Sequence, residues 1–323
     1  MSFLNQRKVL ITDKVHPILV EGLTDEGIEV EYDVSIQPEE FERKLCQFTG
    51  VIINSKIRIT RKHIERNPQL EFIARLGSGL EIIDVVAAKE HGISVINSPE
   101  GNRDAVAEHA IGMLLCLLNK INIADWEVRN MIWEREKNRG IELGGKTVGI
   151  IGFGNTGRAF AGKLFNWDVR LLAYDKYDES WVKNFKNVKK AGLDDILNEA
   201  DVISLHLPLT EETKYMVDKE FLMRCKRNPV IINTSRGEVI KTPDLLDFLT
   251  EGKVLGACLD VFENEKVATF SAKEEQMYKR LYQLDNVILT PHIAGWTKES
   301  LEKIALVTLA KIKKCISDDK KSK

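Results

Sequence analysis

Short apolar runs alternate with amphipathic stretches along nearly all of the 323-residue chain. In the first hundred residues, Val9–Thr12, Val30–Tyr32, Val51–Asn54, Phe72–Leu76 and Ser94–Asn97 are compact apolar runs and are predicted strands. Segments near His16–Leu23, Pro38–Cys46, Arg61–Arg66 and Ile82–His91 have helical spacing and fill the gaps between them. The pattern then changes. Asn102–Ile121 encloses the long apolar stretch Ala105–Leu118, which lacks β-branched dominance and reads as a mostly buried helix. A second, larger series comes next, with predicted strands Thr147–Gly152, Val169–Tyr174, Val202–Leu207, Val230–Asn233, Leu255–Asp260 and Val287–Thr290. Helices lie between these, among them Asp194–Glu199 and Thr242–Thr250. A last helix is predicted over Lys298–Cys315, and the polar tail Ser317–Lys323 is expected to fray. Strands that alternate with helices predict an α/β protein of two doubly wound parallel sheets, one small and one large.

The first strand of the second series runs into Gly152-Phe153-Gly154-Asn155-Thr156-Gly157, a G-x-G-x-x-G spacing, and then into a helix-like segment, Arg158–Phe165. The next strand ends in Asp175. Each part has a physical role in binding a dinucleotide. Gly152 permits a tight turn, Gly154 lets the backbone approach a pyrophosphate, and Gly157 lets the helix pack closely on the strand. The helix N-terminus offers N–H groups and the positive end of its dipole to the phosphates. Asp175 can accept hydrogen bonds from a ribose diol and would repel a 2′-phosphate. The larger domain is therefore expected to be a Rossmann domain that binds NAD.

Composition adds limits. Hydrophobic residues make up 43% of the chain, charged residues 30%, and the net charge is -2, so no electrostatic case arises for nucleic acid or an anionic membrane. Met1–Leu10 has neither a long apolar core nor a cleavage-site pattern, and no apolar run approaches a membrane span. Cys46, Cys116, Cys225, Cys258 and Cys315 are scattered and form no C-x-x-C, which suits reduced cysteines in a cytoplasmic protein and argues against a metal site.

With the cofactor in one of two domains, the cleft between them is the expected active site. Useful side chains in parallel sheets sit just past the carboxyl ends of strands. Arg236, Glu265 and His292 each come after a predicted strand in this way. Together they suit hydride transfer to a 2-oxo acid. An arginine forks onto a carboxylate, a histidine donates the proton to the developing alkoxide, and a carboxylate orients that histidine. His16, His63 and His91 read as surface residues of the first domain, and His109 as a packing residue of the long helix. His206, at the end of a strand, is placed to line the cofactor site without doing chemistry.

Several motifs in order resemble the D-isomer-specific 2-hydroxyacid dehydrogenase family, with its phosphoglycerate dehydrogenase branch nearest. They are Gly77-Ser78-Gly79, Asn97-Ser98-Pro99-Glu100-Gly101-Asn102, Gly152 to Gly157 with Asp175, His206-Leu207-Pro208-Leu209-Thr210, Asn233 to Gly237, Gly256 to Glu265, and Pro291-His292. The resemblance implies that Arg236, Glu265 and His292 are catalytic. It implies that Asn155, Thr156, Asp175, His206, Pro208, Thr213, Thr234 and Asp260 line the NAD site with the three glycines, and that Ser78, Gly79, Asn102 and Arg236 bind substrate. It implies a discontinuous, flavodoxin-like substrate domain or lid over 1–101 and 294–323, with the Rossmann domain over 102–293. A homodimer built on the long helix and an arm around Trp126–Arg135 is implied as well. Some positions depart from the pattern. Asn54 stands where phosphoglycerate dehydrogenases carry a phosphate-binding arginine, with Lys56 and Arg58 close by, and Trp296 comes after Ala294-Gly295. The expected activity is hydride exchange between NAD(H) and a small 2-oxo or 2-hydroxy acid, 3-phosphoglycerate included. The alternatives are a glyoxylate or hydroxypyruvate reductase and, in another class, an NAD-sensing corepressor.

Overall fold

The structure, a computed structural model, describes residues 7–178, 180 and 184–322, the last five by backbone alone. Met1–Gln6, part of the segment in which no targeting pattern is read, and Lys323 of the polar tail lie outside the described residues. The chain falls into two compact units, residues 1–102 with 296–323, and residues 103–295.

The first unit runs β1 (Lys8–Ile11), α1 (Pro17–Asp25), β2 (Glu29–Tyr32), α2 (Pro38–Lys44), β3 (Gly50–Ile53), α3 (Arg61–Glu65), β4 (Phe72–Arg75), α4 (Val85–Glu90) and β5 (Ser94–Asn97). Helix α5 (Pro99–Leu118) leads into the second unit, which continues with α6 (Ile121–Arg129), β6 (Thr147–Ile151), α7 (Asn155–Lys163), β7 (Arg170–Tyr174), β8 (Val188–Lys190) and α8 (Leu193–Glu199). After these come β9 (Val202–Leu205), α9 (Lys219–Arg224), β10 (Val230–Asn233), α10 (Thr242–Thr250), β11 (Gly256–Leu259), α11 (Ala272–Tyr282) and β12 (Val287–Leu289). Helix α12 (Lys298–Ser322) returns to the first unit.

The first unit holds a five-stranded parallel sheet in the order β2-β1-β3-β4-β5, the flavodoxin-like arrangement. The second holds seven parallel strands in the order β12-β11-β10-β9-β6-β7-β8, a Rossmann order extended by one strand. Successive side chains on a strand face opposite sides of the sheet, so each unit has two cores. In the second unit Ile151, Leu172, Ile203, Ile231 and Ala257 fill one face, while Ile150, Leu171, Ala173, Val202, Val230 and Cys258 fill the other. This is why its strands read as unbroken apolar runs rather than alternating ones. In the first unit Val9, Ile11, Ile52 and Phe72 meet Ala305, Leu309 and Ile312 of α12, whereas Leu10, Val51, Ile53 and Ile73 face the opposite core.

Three local expectations are corrected. The larger sheet has a seventh strand, β8, which is only three residues long with two exposed lysines and so leaves no periodic signal. The long apolar helix stands as its pattern predicts, as α5, and the chain turns after it at Lys120, whose φ of 51° is left-handed, before the further helix α6. Helix α7 starts at Asn155, inside the glycine motif rather than after it. Helix α12 continues through Ser322 instead of fraying from Ser317, because no glycine or proline stops it. Among the described residues no single helix is long and apolar enough to cross a membrane. The apolar run of α5 is spent in the core through Ala107, Ala110, Met113 and Leu114.

Gly101, at the start of α5, makes the seat of α12 possible: a Cβ there would lie 2.6 Å from the Cα of Ile304. Backbone cannot yield as a side-chain tip can. Gly101→Ala is expected to destabilise the first unit by about 1–3 kcal/mol, the usual range for overpacking. Urea unfolding checks this, and an unchanged midpoint would show that the helices separate freely.

Candidate active site

The glycine motif builds an anion site at the end of β6. Gly152 has a φ of 89°, and a Cβ on it would lie 2.3 Å from the His206 carbonyl oxygen. Gly157 is packed as closely, with a hypothetical Cβ 2.2 Å from the Gly152 carbonyl oxygen. Between them, a Cβ on Gly154 would meet nothing within 4 Å. Gly154 is the N-cap of α7, and no side chain caps that helix. Its first N–H groups, on Asn155, Thr156 and Gly157, are therefore left for a ligand's phosphates.

Asp175, just past β7, is held in place by backbone donors. Its Oδ2 accepts the Phe153 N–H at 2.7 Å and its Oδ1 accepts those of Tyr177 and Asp178, both at 3.0 Å. A carboxylate has about four acceptor positions, so capacity remains for a hydroxyl. Two buried polar atoms at the ends of neighbouring strands have no partner, His206 Nδ1 past β9 and Thr234 Oγ1 past β10. His206 Nε2 and the Ser204 hydroxyl are 2.9 Å apart, and burial pushes the ring's pKa down to about 3, so it is neutral. Unsatisfied buried polar atoms at strand ends mark where a ligand completes the hydrogen bonding. Open space at Gly154, uncapped N–H groups, an oriented carboxylate and these orphans all fit a dinucleotide. Thr213 fits less directly, since its hydroxyl donates to the Pro208 carbonyl at 2.6 Å and ties its own loop together.

Arg236, Glu265 and His292 lie past the ends of β10, β11 and β12. Asn233 shapes the first turn: its Oδ1 accepts from the Ser235 N–H and hydroxyl, and its Nδ2 donates to the Arg236 carbonyl at 2.9 Å. Glu265 takes His292 Nδ1 with both oxygens, at 3.0 and 2.9 Å. This places the Nδ1 proton toward the carboxylate and leaves Nε2 out of that pair. Burial is the largest influence on Glu265 and pushes its carboxyl up, but the hydrogen bond and charge of His292, with help from the Phe262 N–H and Arg236, hold it below the usual range. The neighbouring Glu263 is committed elsewhere, accepting the Thr242 N–H at 2.7 Å.

The His292 loop hangs on Asp260, which is 1% exposed. Its Oδ1 accepts from the Thr290 hydroxyl at 2.6 Å and the Ile293 N–H at 2.8 Å, and its Oδ2 accepts the Ala294 N–H at 2.8 Å. Its carbonyl takes the His292 N–H at 2.7 Å. His292 is thereby held at a φ of 56°. His109 of α5 is more than packing, because its Nε2 lies 3.0 Å from the Thr290 hydroxyl.

In the first unit the 77–79 loop comes after β4. Asn97 Nδ2 donates to the Ser78 carbonyl at 2.8 Å, and the Ser78 hydroxyl donates to Asn102 Oδ1 at 3.2 Å. The N–H groups of Ser78 and Gly79 donate to nothing among the described residues. Sequence reasoning passed over Arg75, whose guanidinium lies against Gly77 and whose Nε donates to the Asn54 carbonyl at 3.4 Å. The signal was a charge ending an otherwise apolar strand. Lys56 and Arg58 donate to the Val34 and Glu81 carbonyls, at 2.8 and 3.1 Å. Trp296 is exposed. No cluster of metal-ligating side chains occurs among the described residues.

The family model for the NAD-binding domain of D-isomer specific 2-hydroxyacid dehydrogenases matches residues 111–294. A D-3-phosphoglycerate dehydrogenase of Archaeoglobus fulgidus is 33% identical over 300 residues, 93% of this chain and 55% of the relative. The chain thus spans about half the length of that enzyme. A hydroxypyruvate reductase of Thermotoga maritima is 35% identical over 277 residues, 86% of this chain and 88% of the relative. Among solved structures, a D-lactate dehydrogenase of Aquifex aeolicus, complexed with NAD and lactic acid, is similar with a TM-score of 0.83 and 28% identity, over 98% of this chain and 97% of that one.

Removing the Asp260 carboxylate strands the Ile293 and Ala294 N–H groups and the Thr290 hydroxyl. A fully buried unmet donor costs about 1–3 kcal/mol, and of these three only the Ala294 N–H is fully buried, while the other two reach solvent in part. Asp260→Ala is expected to lose about 2–4 kcal/mol of stability in chemical denaturation. A loss under about 1 kcal/mol would mean that the loop is held by other contacts.

Proposed function

The chain belongs to the D-isomer-specific 2-hydroxyacid dehydrogenase family, and on that premise we propose that it is an oxidoreductase exchanging hydride between NAD(H) and a small 2-oxo or 2-hydroxy acid. The observation that carries this reading is the Glu265–His292 pair, with both carboxylate oxygens on Nδ1, in the same unit as Arg236 and the glycine motif. The N–H groups of Asn155, Thr156 and Gly157 would hold the pyrophosphate of the cofactor, Asp175 its ribose, and His206, Pro208, Thr213, Thr234 and Asp260 would line its site. Bound NADH supplies the hydride. Arg236 takes the substrate carboxylate through its planar fork. Ser78, Gly79 and Asn102 are proposed as further substrate-binding residues, supported by the two loop N–H groups without partners among the described residues. His292, protonated in reduction, gives the Nε2 proton to the substrate oxygen, and in oxidation the neutral ring takes it back. Glu265 keeps the ring oriented and stabilises its charged form.

The substrate class is drawn more broadly than 3-phosphoglycerate. Asn54 replaces the expected phosphate-binding arginine, and Lys56 and Arg58 already donate to backbone carbonyls. A glyoxylate or hydroxypyruvate reductase is the second reading, favoured by this same loss and by the likeness to the Thermotoga enzyme. A cytoplasmic homodimer completes the proposal. Five unpaired thiols support the compartment. Exposed Ile121, Trp126, Val128, Met131 and Trp133, on α6 and the arm after it, support a partner surface, and sedimentation of the purified protein tests it.

His292→Ala is expected to lower kcat by about 10²–10⁴-fold while NADH binding stays nearly intact. In Glu265→Gln the imidazolium loses its anionic partner, so the alkaline limb of the pH profile for 2-oxo acid reduction should move to lower pH. An unmoved limb would break the pairing. NADH oxidation across 2-oxo acids with and without phosphate sets the substrate. A preference of more than about a hundredfold for 3-phosphohydroxypyruvate over hydroxypyruvate, the upper end of a charge-assisted contact, would restore the phosphoglycerate assignment. No turnover of any such acid would favour the NAD-sensing corepressor.

A further inference from the structure

Two cations flank the ribose carboxylate, and each is occupied by its own acid. Arg158, in the first turn of α7, donates from Nε to the Phe153 carbonyl at 2.8 Å. The N–H of the same Phe153 is bonded to Asp175, so Arg158 is anchored one residue's backbone away from that carboxylate. Its outer nitrogen pairs with Asp178. Lys176 is next in sequence to Asp175, and its Nζ lies 2.8 Å from Glu212 Oε2. Glu212 stands in the loop after β9, between Pro208 and Thr213, and also accepts the Tyr177 hydroxyl at 2.5 Å. Asp178 accepts the Ser180 N–H and hydroxyl as well, at 2.8 and 2.6 Å, which fixes its carboxylate in place.

A 2′-phosphate carries nearly two negative charges and needs a cation beside the ribose. Asp175 alone repels it, but a free lysine and a free arginine on either side would offset one carboxylate. We infer that Glu212 and Asp178 are specificity-determining residues that keep Lys176 and Arg158 occupied, so that the site keeps the single negative charge that excludes NADP(H). Lys176 and Glu212 are exposed, with side-chain accessibilities of 54% and 55%, and Arg158 and Asp178 are half-buried, at 34% and 44%. Pairs this open to solvent add little to folding, so their value lies in where they hold the charge. The inference rests on Asp175 as the ribose acceptor of the proposed NAD site.

The test is direct binding of NADH and NADPH, by fluorescence titration without substrate, to wild type, Glu212→Gln, Asp178→Asn and the double variant. Wild type should bind NADH more tightly. Each single variant should narrow the ratio of the two Kd values by up to about fivefold, and the double variant by about tenfold, the reach of exposed charge pairs. Lys176→Met should abolish the gain in the Glu212→Gln background and change the ratio little in wild type, because the effect is a coupling between the two residues. A double variant whose ratio stays within about twofold of wild type overturns the inference and leaves the NAD reading intact. A gain in Glu212→Gln that survives Lys176→Met overturns the role of that pair, since mere loss of negative charge would then explain it. Wild type that binds NADPH more tightly than NADH overturns the NAD reading itself.

Discussion

The buried carboxylate of Asp260 is the constraint on which the candidate catalytic pair depends. A buried carboxyl group is tolerated only where hydrogen bonds replace hydration, and here three donors supply them. Those donors all belong to residues 290–294, on either side of His292. Satisfying Asp260 and placing His292 are therefore one event. The same bonds explain how a histidine occupies a left-handed φ of 56°. A non-glycine residue held there costs about 1–3 kcal/mol, and surrounding bonds must fix it. The strain sits at the residue whose ring must meet Glu265.

Parallel sheet geometry explains why the candidate site residues lie in loops rather than in the strands. Every strand of the second unit runs in the same direction, so the ends of β6, β7, β9, β10, β11 and β12 form one edge. The strand interiors are mostly apolar on both faces, with the Ser204 hydroxyl and the Cys258 thiol enclosed in them. The residues just beyond each end are free to be polar: the glycine motif after β6, Asp175 after β7, His206 after β9, Arg236 after β10, Asp260 and Glu265 after β11, His292 after β12. The switch in strand order between β6 and β9 opens a crevice at that edge, the usual place for a nucleotide in a doubly wound sheet.

Much of this was legible because it is local in the sequence. Apolar runs located eleven of the twelve strands, and residues just past those runs pointed to Arg236, Glu265 and His292. The hidden part depends on partners far along the chain. Asp260 reads as one acid after a strand, and nothing near it reveals that Thr290, Ile293 and Ala294 are its partners. His109 reads as a core histidine, since Thr290 is 181 residues away. Arg75 sits inside a strand pattern, and only the turn of the 77–79 loop brings Gly77 against it. Strand β8 was missed because three residues with two lysines give no periodicity, and its place at the sheet edge comes from pairing with β7.

The protonation balance of Glu265 bears on the proposed proton transfer at the same edge. Burial alone would favour a neutral carboxyl, which could not stabilise an imidazolium. The His292 bond and the nearby charge of Arg236 reverse that tendency and hold the carboxyl below its ordinary value. A group whose folded value is depressed contributes stability above its unfolded value and loses it as pH falls through the folded one. Glu265 is therefore ionised throughout the neutral range, and His292 has its anionic partner wherever it gains or loses a proton. His292 is half exposed as well, at 49% of its side chain, so in the proposed role the ring would exchange its proton with solvent. A fully buried pair would be oriented as well but could not be recharged. His206, past the end of β9 in the same sheet, is the contrasting case, a ring that burial without an acid partner holds neutral.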